Sequence, residues 1–345
     1  MKIAFFQPPA PQRIGGLDAA IQGINAALTK AGVEVIENAG AETTFDLAHF
    51  HGLWQPNHAR RAPRLRERGI PYVVSPHGML EPWAWRHKRW KKWPYFQLIE
   101  KRYLARAAAL LATGPGEAQR LARFAPAQRI EALPLGLTGA ARPDYDAARR
   151  QLGWAPDEIV LLYLSRLHVK KGADLLLRAL ASSHWPVVTR LVVVGDGDRS
   201  YVDSLRTFAS REANKLPRID WIGPVWGESR WKYFQGADLF CLPTHSENFG
   251  LAVLESLQVG TPALTTVDTP WAEDLSGPRG FIIRPNVDDL RATLVRFFAQ
   301  PRTPSATRRE IADWAWSRFD WSQLGPRYAA FFESIARRES AAPVS

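Results

Sequence analysis

The feature that most constrains the fold of this chain is a regular alternation of short apolar runs with helical patterns. The runs are rich in branched and aromatic residues, which is typical of strands buried on both faces of a parallel sheet. Parallel strands need helical crossovers, so the pattern predicts repeated βα units. The predicted strands cover residues 2–6, 33–36, 47–51, 72–75, 110–113, 130–133, 159–165, 191–195, 219–222, 239–242, 263–265 and 281–283.

A segment without a strand pattern divides the predicted strands into two series. Residues 138–156 contain two prolines and several charges without a strand pattern, as a linker does. At 345 residues and 46% hydrophobic content, the chain is long and apolar enough for two cores. We therefore predict an α/β fold of two doubly wound domains facing across a cleft, residues 1–140 and 157–320, with a linker at 141–156. Ligands of such sheets bind beyond the carboxyl ends of the strands.

Composition excludes several other classes of protein. Charged residues make up 23% and no low-complexity tract occurs, which excludes a disordered chain. The single cysteine, Cys241, excludes an internal disulfide and a cysteine-based zinc cluster, and fits a reducing cytoplasm. The apolar run at the N-terminus is too short for a signal peptide, and no other segment reaches membrane-spanning length.

Basic charge is concentrated in the first half of the chain. Residues 1–137 hold 19 Lys and Arg against 10 Asp and Glu, whereas residues 138–345 hold 26 against 24. Much of the excess lies at 83–106, where eight Lys or Arg and one acid, Glu100, interleave with aromatic residues. A basic aromatic helix suits an anionic membrane surface. It equally suits a nucleic-acid groove, or a solvated helix that packs its rings on its own domain.

Two motifs of the first half follow predicted strands. Gly15 and Gly16 open a helical run, where backbone N–H groups can approach an anion, although a plain tight turn explains a lone Gly-Gly equally well. The six-residue dinucleotide glycine fingerprint is absent, which counts against a nicotinamide enzyme. His77 stands at the mouth of the fourth strand, where it can donate to a sugar hydroxyl or serve as a structural histidine.

The second half carries more specific motifs. Arg166 and Lys171 lie in one loop after a strand, so both cations can converge on one anion such as a diphosphate. Glu247 precedes a helix and Glu255 lies inside it, so the two carboxylates can hold different hydroxyl groups of one ligand. Between them, 248–251 offer N–H groups at a helix start, ready for a phosphate.

These motifs resemble the family-4 retaining glycosyltransferases (glycosyl transferases group 1), which have the GT-B fold of two Rossmann-like domains. The resemblance covers nearly the whole chain, and its strongest motif is the spaced glutamate pair. It rests on Glu247 and Glu255, the Arg166 to Lys171 loop, the Gly15-Gly16 turn and the closing segment 319–331. It also implies that residues 321–345 form a helix that crosses back to the N-terminal domain.

The resemblance implies roles for individual residues. Arg166 and Lys171, or Lys170 in its place, would neutralise the donor diphosphate. Glu255 would bind the ribose hydroxyls and Glu247 the transferred sugar. The catalytic set it implies is His77, Arg166, Lys171 and Glu247. The donor-binding positions it implies are Gly15, Gly16, Gly223, Val225, Asn248, Phe249, Gly250, Leu251 and Glu255.

The resemblance further implies a retaining hexosyltransferase that moves a hexose from a UDP- or GDP-sugar to a glycan or lipid-linked acceptor. Bacterial cell-surface polysaccharide biosynthesis, of lipopolysaccharide or exopolysaccharide, is the expected setting. It implies no metal and no cofactor, so we interpret Asp196-Gly197-Asp198 as a turn. With the basic segment, it predicts a peripheral enzyme on the inner face of the plasma membrane that binds no nucleic acid. The alternatives are a nucleotide-sugar epimerase of the same fold and a basic nucleic-acid- or membrane-binding protein without catalysis.

Overall fold

The computed structural model describes residues 1–9, 16–40, 42–86, 89–186 and 188–340. Every predicted strand is confirmed, with bounds that differ by at most two residues. The apolar runs form strands because each is long enough to cross a sheet and is covered by helices. The strands are β1 Lys2–Phe6, β2 Glu34–Glu37, β3 Leu47–His51, β4 Tyr72–Ser75, β5 Ala109–Ala112, β6 Ile130–Ala132, β7 Ile159–Leu164, β8 Thr189–Val194, β9 Arg218–Gly223, β10 Leu239–Cys241, β11 Ala263–Thr266 and β12 Gly280–Ile283.

The helices lie mainly between the strands, as βα units require. They are α1 Gly16–Lys30, α2 Pro56–Glu67, α3 Pro82–Arg86, α4 Arg89–Tyr95, α5 Lys101–Ala105, α6 Pro115–Phe124, α7 Tyr145–Leu152, α8 Ala173–Ala181, α9 Arg199–Arg211, α10 Trp231–Gly236, α11 Leu251–Gln258, α12 Val287–Phe298, α13 Ser305–Phe319 and α14 Trp321–Ser340. Short 3₁₀ turns cover Val169–Lys171, Ala213–Lys215, Gly227–Arg230 and Gly277–Arg279, and a π-helical turn covers Phe96–Glu100. No helix among the described residues is long and apolar enough to cross a bilayer.

The chain divides into two compact units. Unit 1 comprises Met1–Gly136 and Phe319–Ser345, and unit 2 comprises Leu137–Arg318. The sheet of unit 1 is parallel, in the order β2-β1-β3-β4-β5-β6. The sheet of unit 2 is also parallel, in the order β12-β11-β10-β7-β8-β9. Both are doubly wound α/β sheets, as the sequence predicts.

The observed boundary between the units differs from the predicted linker. Unit 2 begins at Leu137, and the predicted linker 141–156 contains helix α7. This helix is anchored by a buried ion pair, in which Arg149 Nη1 lies 3.2 Å from Asp238 Oδ2. The Tyr145 hydroxyl also donates to Asp238, at 2.7 Å. Charges that suggested a solvated linker are therefore used inside unit 2.

The last helix belongs to unit 1. Within that unit, α14 packs on α1, where the Trp321 ring lies over Gly23, and the Tyr328 hydroxyl donates to the Leu133 carbonyl at 3.2 Å. Residues 319–340 thus return to the unit that holds the N-terminus.

Segment 83–106 is not the single regular helix that the sequence predicts. Its described part is divided among α3, α4, the π-helical turn Phe96–Glu100 and α5. Pro94 lies inside α4 and lacks the N–H that a regular helix would use there. The interruption lets Trp85 and Phe96 turn inward, where their rings meet edge-on at 5.3 Å.

Candidate functional site

Strand order predicts where a ligand crevice lies in unit 2. The order changes direction between β7 and β10, which are hydrogen-bonded neighbours. In open α/β sheets, ligands bind in a crevice at such a switch point, outside the carboxyl ends of the strands. The loop after β7 carries Arg166 and Lys171, and the loop after β10 carries Glu247. The two motifs that the sequence singles out therefore meet at this crevice.

The two loops are joined by a close backbone contact. Gly172 has φ 69° and lies against the Pro243 carbonyl, where an added Cβ would stand 2.0 Å from the oxygen. Only glycine fits this approach. The Lys170 carbonyl accepts from the Thr244 hydroxyl at 2.9 Å and from the His245 N–H at 2.8 Å. These contacts fix the position of the neighbouring Lys171.

Lys171 and Glu247 form an ion pair between the two loops. Glu247 is buried and Lys171 is partly buried, so water screens the pair only weakly. Arg166 is exposed in the same loop as Lys171. Both Arg166 and Glu247 act electrostatically on the buried Tyr163, whose pKa is raised chiefly by burial. The structure thus gathers a carboxylate and two cations at one strand mouth.

The backbone after Glu247 leads into helix α11. Phe249 is buried, and its carbonyl accepts from the Trp271 indole N–H. Gly250 takes a left-handed conformation at φ 81° and is the N-cap of the helix, which starts at Leu251. Asn248 lies in the preceding loop. The predicted donor-binding residues 248–251 therefore stand at a helix N-terminus beside Glu247.

Glu255 lies one turn into α11 and has hydrogen-bond partners that the sequence does not predict. Its Oε1 accepts from the Thr138 hydroxyl at 2.7 Å and from Arg230 Nε at 3.2 Å. Burial raises the pKa of Glu255, and Arg230 and Thr138 oppose that shift. Thr138 lies near the start of unit 2, and Arg230 stacks over the Trp231 ring at 4.3 Å. Neither residue directly follows a buried strand, so the criterion that ligand-binding residues follow strands does not identify them.

Gly223 and Val225 lie farther along the same sheet. Gly223 ends edge strand β9, and β8 separates β9 from β7. The Gly223 carbonyl accepts from the Gly195 N–H at 2.8 Å. Trp226, one residue after Val225, is 73% exposed.

The motif Asp196-Gly197-Asp198 is not the turn that the sequence predicts, because Gly197 forms an isolated parallel β-bridge with Leu167. Asp198 caps α9, because its Oδ1 accepts from the Ser200 and Tyr201 N–H groups at 3.1 and 3.3 Å. Asp196 accepts from the Gly197 N–H at 2.7 Å. Across the described residues, no group of three or more His, Cys, Asp or Glu side chains is placed to hold a metal ion.

His77 lies in unit 1, just after β4. It has the left-handed backbone conformation at φ 52°, which is uncommon for a side chain with a Cβ. The next residue is fixed by a buried acid, since Gly78 N–H donates to Glu117 Oε1 at 2.7 Å. Burial lowers the pKa of His77 to about 4, so its imidazole is neutral at pH 7.

A second histidine, which the sequence motifs do not include, contacts His77. His51 Nδ1 lies 3.1 Å from His77 Nε2, and the two rings stack with centroids 5.4 Å apart. His51 is the last residue of β3, in the pattern His49-Phe50-His51. The alternation of histidines along a buried strand is the signal that could have found it. Of the predicted glycines, Gly16 is the exposed first residue of α1, and Gly15 lies outside the described residues.

Comparison with known proteins gives matches over both units. The family model described as glycosyl transferases group 1 matches residues 144–314, and the model described as glycosyl transferase 4-like domain matches residues 7–136. Among curated proteins, D-inositol 3-phosphate glycosyltransferase of Segniliparus rotundus is 28% identical over 255 residues, which cover 71% of this chain and 56% of that protein. The chain thus spans about half the length of the curated relatives it matches.

Solved structures match the whole fold at low identity. Sucrose-phosphate synthase from Thermosynechococcus elongatus superposes with a TM-score of 0.79 at 18% identity, covering 98% of this chain and 99% of that one. Anabaena HepE in complex with UDP superposes with a TM-score of 0.75 at 18% identity, covering 97% and 100%. At this identity the likeness supports the fold, which is GT-B.

Proposed function

Because the chain belongs to the glycosyl transferases group 1 family, we propose that it is a retaining hexosyltransferase that uses a UDP- or GDP-sugar. The observation that carries the proposal is the Lys171–Glu247 pair at the switch point of the second sheet, with Glu255 one turn into the adjoining helix. A cation and two carboxylates there match the charges and hydroxyl groups of a nucleotide-diphosphate sugar. HepE, of the same fold, has been solved in complex with UDP, which favours a uridine nucleotide.

In the proposed reaction the bond between sugar C1 and the diphosphate breaks first. The electron pair leaves with the diphosphate, and Arg166 and Lys171 stabilise the charge that develops on it. The acceptor hydroxyl attacks C1 from the same face, and its proton passes to the departing diphosphate, so the anomeric configuration is retained. Glu247 orients the sugar and Glu255 the ribose. Cations thus take the part that a metal takes elsewhere, and we propose that chelators leave the activity unchanged.

We propose roles for two residues of unit 1 as well. His77 is neutral at pH 7 and partly exposed, so one ring nitrogen can serve a sugar hydroxyl. Gly16 lies at the N-terminus of α1, which favours an anionic group. The acceptor we propose is a glycan or a lipid-linked sugar of cell-surface polysaccharide biosynthesis.

An anionic membrane surface is the partner we propose for the segment 89–105 of unit 1. Trp90 is 74% exposed, Trp93 51% and Leu98 78%, whereas Trp85 and Phe96 pack inward. The exposed rings stand among basic residues, as the Lys91 ammonium 4.7 Å from the Trp90 ring illustrates. Exposed tryptophan beside lysine suits the interface between lipid phosphates and acyl chains. We propose a peripheral enzyme of the inner membrane face.

The test is nucleotide binding by calorimetry, together with nucleotide release from sugar donors followed by mass spectrometry. We expect UDP or GDP to bind, and the matching donor to lose its nucleotide to an acceptor or slowly to water. Lys171→Gln should lower kcat/KM by about 100-fold, because it removes charge stabilisation at the diphosphate. Lys170→Gln, a charge-matched neighbour, should stay within about threefold of wild type, a difference of less than 1 kcal/mol.

Other outcomes would contradict the proposal in distinct ways. A donor whose sugar is isomerised while its nucleotide stays attached would identify an epimerase. Equal losses in the two lysine variants would remove the assigned role of Lys171. No response to any nucleotide, with tight binding of RNA, would favour a basic binding protein.

A further inference from the structure

The buried histidines of unit 1 form a group that the proposed reaction uses only in part. His49 and His51 point from β3 with ring centroids 4.0 Å apart, and His77 follows the neighbouring strand β4. The Phe5 ring lies against both His49 and His51, and Phe332 of α14 lies against His49. Water is therefore excluded from the two strand histidines.

The contact between His51 and His77 joins two specific nitrogens. His51 Nδ1 and His77 Nε2 are 3.1 Å apart, which is hydrogen-bonding distance. Burial lowers the pKa of both imidazoles, so both are neutral at pH 7. A neutral imidazole carries one N–H, so one ring donates in this contact and the other accepts.

The environment of the second ring nitrogen of His51, Nε2, decides which ring donates. His51 Nε2 is buried and has no hydrogen-bond partner among the described residues. If His77 donated, His51 would carry its proton on Nε2 and leave a buried N–H unpaired. If His51 donates, Nε2 is a bare acceptor. An orphaned buried donor is the rarer and costlier defect, so the proton lies on His51 Nδ1.

We propose that His51 is a positioning residue that fixes the tautomer of His77, so that His77 presents Nδ1–H as a donor to the ligand. His77 Nε2 is occupied by His51, and the ring is partly exposed. The nitrogen that remains for a ligand is Nδ1, and it carries the proton. His77 thus acts as a hydrogen-bond donor and not as a base. The role of His77 as a donor to a ligand rests on the proposed function, whereas its tautomer rests on the His51–His77 geometry.

The experiment combines spectroscopy with a matched pair of variants. In protein labelled with ¹⁵N in the imidazole rings, long-range proton–nitrogen correlation spectra distinguish protonated from bare ring nitrogens. We expect Nδ1–H on both His51 and His77 in the wild type. His51→Asn keeps a donor at the position of Nδ1 and should keep the His77 tautomer, whereas His51→Leu should release it to exchange between tautomers.

Activity supplies a second, separable readout. The rate of nucleotide release from the UDP- or GDP-sugar that the wild type uses should fall about tenfold in His51→Leu, the equivalent of one hydrogen bond, and recover in His51→Asn. UDP affinity should be unchanged in both. An Nε2–H tautomer at His77 in the wild type would overturn the inference, whether or not His51→Leu folds. If the wild type transfers sugar from none of the UDP- and GDP-sugars, the proposed function fails while the spectra still decide the tautomer.

Discussion

Glu100 is a buried acid whose environment disfavours the charged form of its carboxyl group. It ends the π-helical turn of unit 1, and its Oε1 accepts from the Trp54 N–H at 2.8 Å. Its Oε2 is buried without a hydrogen-bond partner in the described part of the chain. Burial raises the pKa of Glu100 from 4.5 to about 7, and the Trp54 N–H offsets only part of that shift.

This setting predicts that stability falls as pH rises. The folded state binds the Glu100 proton more tightly than the unfolded state, so the free energy of unfolding decreases between about pH 4.5 and 7 and is level above. Glu100→Gln keeps an acceptor for Trp54 and removes the charge. We expect its free energy of unfolding, relative to that of the wild type, to be about 3 kcal/mol higher at pH 8 than at pH 5, in urea titrations.

The control for this prediction is an exposed acid of the same unit. Glu67 lies at the end of α2, and Glu67→Gln should shift the unfolding midpoint equally little at both pH values. A Glu100→Gln curve parallel to that of wild type from pH 5 to 8 would show that Glu100 does not titrate in this range.

At the residue scale, the sequence predicts the charged side chains that follow strands. It does not predict the residues to which such side chains hydrogen-bond. Glu247 and Lys171 can be identified because each stands in a loop directly after a buried run, and parallel strands bring such loops to one edge. The partners of Glu255 are fixed by tertiary contacts. Thr138 and Glu255 are 117 residues apart, a separation that no local period encodes. Only packed coordinates reveal such pairs.

At the scale of elements, apolar periodicity is a good guide to strands and a poorer one to helix continuity. The strands are predictable because two-sided burial leaves a continuous apolar run. Segment 83–106 is predicted to form one helix because basic and aromatic residues interleave along it. Local backbone chemistry at Pro94 and the turn Phe96–Glu100 interrupts it, and periodicity carries no such information.

The contact between α1 and α14 gives a prediction at this scale. A Cβ on Gly23 would stand 2.6 Å from the Trp321 ring, so the two helices approach through a position that only glycine fits. Gly23→Ala should therefore destabilise the protein by about 1–3 kcal/mol, despite the better helix propensity of alanine. Urea titration measures this change.

Two variants distinguish the steric conflict between position 23 and the Trp321 ring from the general effect on stability of replacing a helical glycine by alanine. A Cβ on Gly116, in α6, would first meet the end of the flexible Arg120 side chain at 3.3 Å, so Gly116→Ala should be neutral or stabilising. Adding Trp321→Phe to Gly23→Ala should recover part of the loss, because the smaller ring withdraws. If Gly23→Ala behaves like Gly116→Ala, the helices are not held at this distance.

At the scale of the whole molecule, basic charge is distributed unevenly between the two halves of the chain. The first 137 residues carry the large basic excess, whereas the remainder is close to neutral and holds the carboxylates of the candidate donor site. A local cation pair suffices to hold a diphosphate, so donor binding does not require the excess. The excess suits association with a large anionic surface, which depends on summed charge.

Vesicle binding tests the proposed association of the basic half with an anionic surface. We expect the protein to bind phosphatidylglycerol-containing vesicles, to ignore pure phosphatidylcholine vesicles, and to release at high salt. Trp90→Ala with Trp93→Ala should weaken binding in sedimentation assays by at least about tenfold, because two interfacial rings lose their burial. Trp226→Ala removes an equally exposed ring from unit 2 and should bind like wild type. Equal binding by all variants would mean that charge alone drives association, and preference for RNA over vesicles would assign the basic surface to nucleic acid.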